Sequence, residues 1–144
     1  MNPLLDFTGL PHFVDIKPEH ISPAVETLLQ QCRSIADQAR TCATATWDSF
    51  IQPLVDANER LSRAWGQVSH LNAVMNSQEL REVYNANLPK VTQYFAELSQ
   101  DQALFEKFKQ LRNSLEFNNL SNARKKIVDN QLRDFRLGGA ELTT

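Results

Sequence analysis

Between Thr46 and Arg81 the chain carries its longest apolar pattern, with Trp47, Phe50, Leu54, Ala57, Leu61, Ala64, Val68, Leu71 and Met75 in register. The steps alternate between three and four residues, which lays a single apolar stripe along a helix. A stripe of this length must be covered, so it commits the chain to helices packed on helices. Thr46 is placed to cap this helix, and Asp48 suits its positive end. Pro53 lies inside the pattern, so either the helix proper begins there or one turn kinks into it. Gly66 weakens it by about 1 kcal/mol relative to alanine. About thirty residues of helix would run ~45 Å, against roughly 37 Å for a sphere of this chain length. The helix is therefore expected to bend or to overhang, and an overhang would leave apolar residues for something else to cover.

The remaining segments read as elements laid against that stripe. Residues 1–17 form an extended lead-in interrupted by Pro3, Gly9 and Pro11, whose Phe7 and Phe13 should dock on the helices. Residues 18–139 form the helical domain, and 140–144 a tail too short to be an element. Pro18 and Pro23 cannot both occupy the first position of one helix. A short turn at Pro18–His20, then a helix capped by Ser22, accommodates both, with Ile21, Val25, Leu28, Cys32, Ile35 and Ala39 inward. A third helix starts at Asn76 or Ser77, buries Leu80, Tyr84, Leu88, Val91, Phe95 and Leu98, and is kinked at Pro89. Asp101 caps a fourth, carrying Leu104, Phe105, Phe108, Leu111 and Leu115. Phe117–Leu120 reads as a turn. Ser121 caps a fifth, with Ile127, Val128, Leu132 and Phe135 inward, stopped by Gly138-Gly139. The fold class is all-α, an antiparallel bundle of four to five helices behind an extended lead-in.

Composition narrows the function by exclusion. A net charge of −2 speaks against a nucleic-acid partner, which calls for a basic excess. No apolar run approaches the ~20 residues of a membrane span, and the N-terminus has no signal-peptide pattern, so a cytoplasmic location is expected. Two cysteines make no disulfide framework. His12, His20 and His70 include no pair at helical ligand spacing, and a zinc site from His12, His20 and a carboxylate is disfavoured. There is no phosphate loop, no Gly-x-Ser-x-Gly elbow and no Cys-His pairing that spacing supports. Arg124-Lys125-Lys126 reads as a solvated face. No catalytic, cofactor-binding or metal-binding residue is assigned.

Three strings carry more. Pro-Glu-His-Ile-Ser-Pro-Ala-Val at 18–25, Ser-His-Leu-Asn-Ala-Val-Met-Asn-Ser-Gln-Glu-Leu-Arg at 69–81 and Lys-Lys-Ile-Val-Asp-Asn-Gln-Leu-Arg-Asp-Phe at 125–135 stand in an order and spacing that resembles the N-terminal region of bacterial members of the thimet oligopeptidase family. That family consists of zinc metallopeptidases. The resemblance implies an almost wholly helical fold in a protein several times longer, which cuts short peptides in a deep channel between two lobes. It implies zinc held by a His-Glu-x-x-His helix and a further glutamate, none of which this chain contains. The implied role is a non-catalytic N-terminal lobe, inactive alone, whose partners are the C-terminal catalytic lobe and, in the whole enzyme, short peptides. The family continues with more helix beyond the position of Thr144, which implies a fragment. The other reading is a stand-alone helical interaction module without enzymatic activity.

Overall fold

The computed structural model describes residues 1–141, and among them six α-helices and no strand are present. The fold is all-α. The helices distribute over two compact units, Met1–Ser34 with Val55–Gln93, and Ile35–Leu54 with Tyr94–Thr144. The 140–144 tail lies mostly outside the described residues.

In the first unit, helix α1 (Pro18–Arg40) begins as one continuous helix with Pro23 inside it. The separate turn expected before Ser22 is absent. Pro18 starts the helix, and the Nδ1 of His20 accepts the Lys17 N–H at 3.0 Å, an N-terminal cap made by an imidazole. Pro23 withholds only the bond to the Glu19 carbonyl, one turn from the helix end, where the loss is small. Ser22 is consequently free for another task, and its hydroxyl accepts from Asn87 Nδ2 at 2.9 Å. Ile21, Val25, Leu28 and Cys32 are buried as expected, whereas Ala36 takes the buried position assigned to Ile35.

Helix α2 (Gln52–Met75) has 24 residues, so it runs ~36 Å, less than the ~45 Å expected. Thr46 caps as predicted, accepting from Ser49 N at 3.0 Å, but Trp47–Ile51 forms a wider π-type turn first. That turn moves the α-helical start to Gln52 and puts Pro53 at its second position, where no N–H is needed. The stripe is buried from Trp47 through Leu71 and opens only at Met75. Asn76 then takes a left-handed conformation, φ 43°, which asparagine tolerates better than most residues. Ser77 caps the next helix by accepting from Leu80 N at 3.2 Å.

Helix α3 (Gln78–Ser99) passes through Pro89 without interruption. Its buried row is turned from the expected one. Leu80, Asn87, Val91 and Tyr94 are buried, while Leu88 is exposed. Asn87 is fully buried and donates to the Val83 carbonyl and to Ser22. A polar residue thus occupies the position that an apolar pattern would give to its neighbour.

In the second unit, α4 (Gln102–Arg112), α5 (Leu115–Asn119) and α6 (Asn122–Gly138) are capped by Asp101, Ser114 and Ser121. The α4 helix ends before Leu115, which starts α5 and is exposed, and Ile127 is also outside the core. The expected turn at Phe117–Leu120 is instead largely this one-turn helix. Phe50 meets Phe108 at 4.8 Å between ring centroids, Phe108 meets Phe135 at 5.4 Å, and Phe105 meets Phe135 at 5.6 Å. Offset and edge-on aromatic packing of this kind adds about 0.5–1.5 kcal/mol per pair beyond burial. Arg40 pairs with both Asp37 and Asp101. The Asp101 carboxylate, by bonding the guanidinium, holds the Arg40 pKa above its ordinary value. Gly138 lets the α6 end approach Ser99, whose carbonyl would lie 2.6 Å from an added Cβ, and Gly139 ends the helix at φ 93°.

Candidate functional site

A sizeable apolar concavity lies in the first unit, where the α2 C-terminus turns into α3. It is built by fastening the lead-in. Asn2 Nδ2 donates to the His20 carbonyl at 2.7 Å, and Leu4 is fully buried. The Arg63 guanidinium donates to the Phe7 and Gly9 carbonyls at 3.2 and 2.6 Å. Asp6 accepts from the hydroxyl and N–H of Thr8 and lies 3.3 Å from His12 Nε2. The Thr8 donors, with a smaller contribution from His12, hold the Asp6 pKa below its ordinary 3.8.

So fastened, the chain makes a short 3-10 turn at Phe13–Asp15, and the Phe13 ring packs 5.3 Å from the His70 ring. Together with Val14, Ile16 and Pro18 it faces His70, Leu71, Val74 and Met75 of α2, and Ser77 and Leu80 at the start of α3, around a groove of about 570 Å³. Val14 is 94% exposed, Met75 66% and Val74 60%. These exposed apolar side chains border one concavity. The lead-in therefore does not simply hide its aromatics. Phe7 is half-buried under Arg63, whereas Phe13 becomes a wall of the groove.

The histidines stay apart in role. His12 faces Asp6, His20 caps α1, and His70, expected as a hydrogen-bonded boundary residue, is exposed and packs on Phe13. Cys32 is buried and its thiol donates to the Ala57 carbonyl at 3.3 Å. Cys42 is half-buried, and both are unbridged thiols. Among the described residues, no three His, Cys, Asp or Glu side chains gather so as to hold a metal ion. The zinc implied by the resemblance finds no fitting ligand set among these residues. Among the same residues, no helix is long and apolar enough to cross a membrane.

Two side-chain groups gained roles that their sequence context did not reveal. The Arg124 guanidinium lies 4.7 Å from the ring centre of Trp47, and Lys125 lies 5.8 Å from that of Phe117. The basic run is thus partly a clamp on aromatics. Trp65 stacks on Tyr84 at 5.1 Å. No local pattern encodes the groove, because its wall comes from residues 52 or more positions away from its floor. The one available signal was the clustering of Phe13, Val14 and Ile16 in a segment without helical periodicity.

Residues 25–144 match the family described as Neurolysin/Thimet oligopeptidase, N-terminal domain. Oligopeptidase A of Haemophilus influenzae is 49% identical over 142 residues, covering 99% of this chain and 21% of that protein. Oligopeptidase A of Salmonella typhimurium is 42% identical, covering 98% and 21%. A probable cytosolic oligopeptidase A of Arabidopsis thaliana is 32% identical, covering 98% and 20%. The chain spans about a fifth of the length of the curated relatives it matches. By the family match and by its likeness to these oligopeptidases along nearly its whole length, the chain belongs to the thimet oligopeptidase family and corresponds to its N-terminal domain.

Proposed function

We propose that this chain serves as the non-catalytic N-terminal lobe of a zinc metallo-oligopeptidase, helping to wall the channel that limits entry to short peptides. The observation that carries this reading is the match of residues 25–144 to the family's N-terminal domain. The 142-residue likeness to relatives named oligopeptidase A extends it to the lead-in. Zinc and the general base that activates its water belong, on this reading, to the remainder of the enzyme. The 1–17 lead-in and the 18–139 helical segment act as one lobe, in the cytoplasm. This chain contributes no catalytic residue; its work is to shape access and to hold the other lobe. The purified 144-residue chain, given zinc and a fluorogenic peptide, is expected to release no product. Cleavage that survives repurification and is abolished by chelation would overturn the reading.

A further inference from the structure

Resting on that reading, we propose that the groove between the Phe13–Asp15 turn and the α2–α3 corner seats the apolar face of a helix from the remainder of the peptidase. Val74 and Met75 become buried beneath it. Large apolar side chains are exposed elsewhere too, such as Leu88 and Leu115, and exposure of that kind is by itself ordinary for a protein surface. Here Val14, Val74 and Met75 border one cavity of about 570 Å³. Among the described residues only two polar side chains line it, Ser77 and His70. Ser77 Oγ accepts the Leu80 N–H, and His70 packs on Phe13. An extended peptide laid there would leave most of its backbone N–H and C=O groups without partners, which buried polar groups do not tolerate well. A helix satisfies its own backbone and brings only side chains, the arrangement of helix-in-groove recognition. The relatives supply an occupant, since the matched stretch is only about a fifth of their length and the rest of the chain is tethered to it.

The test compares this chain alone with Haemophilus influenzae oligopeptidase A carrying this chain in place of its own matching stretch. Val74→Cys and Met75→Cys are introduced in both, and maleimide labelling is followed by peptide-resolved mass spectrometry. Both positions are more than half exposed, so neither change should disturb folding. Labelling should be fast in the chain alone at every protein concentration, and roughly tenfold slower or more in the chimera, where a covering helix must open first. Equal labelling in a chimera that cleaves peptide would overturn the groove assignment while leaving the proposed function standing. A protected groove in a folded chimera that cleaves nothing would support the assignment and count against the peptidase reading. Protection that grows with concentration in the chain alone would make a second copy the occupant and overturn the proposal, as would protection of the chain alone by short peptide substrates.

Discussion

Gly66 sits exposed in the middle of α2, with open space where a side chain would begin. Replacing it with alanine removes the helix-interior penalty of glycine, so Gly66→Ala should stabilise the chain by about 1 kcal/mol, read from the urea midpoint at constant m. Gly138 has the same residue type and the opposite prospect. A Cβ there meets the Ser99 carbonyl at 2.6 Å, and Gly138→Ala should cost about 1–3 kcal/mol by overpacking. Asp6 sets a pH dependence. Its folded pKa lies below 3.8 because Thr8 bonds its charged form. The stabilisation is therefore present above the unfolded value and is lost as pH falls through the folded one. Thermal unfolding followed from about pH 5 to 2 should show this loss, and Asp6→Asn should remove that part of the slope. Asn87 shows what single residues conceal. The row Leu80, Tyr84, Asn87, Val91, Tyr94 keeps the three-and-four spacing, but an apolar template prefers Leu88 and so turns the helix by one residue. Only its bond to Ser22, on a helix 65 positions away, explains why an amide belongs inside.

At the scale of elements, the helices were legible because apolar spacing and capping residues agree. Thr46, Asp101 and Ser121 each accept the N–H that their position implies. Asp101 does two things at once, capping α4 and pairing with Arg40 at the end of α1. Asp101→Ala should therefore cost about 1–2 kcal/mol, more than the loss of a cap alone, whereas Asp101→Asn should recover the cap portion. A double-mutant cycle with Arg40→Ala separates the two contributions. The π-type turn at Trp47–Ile51 and the five-residue α5 were not legible. Both are decided by what their side chains reach, such as Glu116 accepting the Trp47 N–H at 3.2 Å, and no periodicity is short enough to announce them.

For the molecule as a whole, fold class followed from pattern, whereas the groove followed from the contact of distant segments. The lead-in has no period of its own, and its course is dictated by Arg63 of α2 bonding its Phe7 carbonyl, by Asn2 bonding the His20 carbonyl of α1, and by burial of Leu4. Each unit is discontinuous in sequence, and α1, α2 and α3 contribute residues to both. Neither unit is closed by a single stretch of chain, so the two should lose structure together. Trp47 belongs to one unit and Trp65 to the other. Fluorescence of Trp65→Phe and Trp47→Phe variants should then report coincident denaturation midpoints, each matching the loss of helical circular dichroism for its own variant. The same discontinuity orders events during synthesis. Every segment of the unit that holds the groove has been made once Gln93 has left the ribosome, while the second unit still awaits its last helices. A nascent chain thus holds every groove residue, with Val74 and Met75 among those left exposed, before the helices of the second unit are complete, an interval in which exposed apolar surface is prone to association.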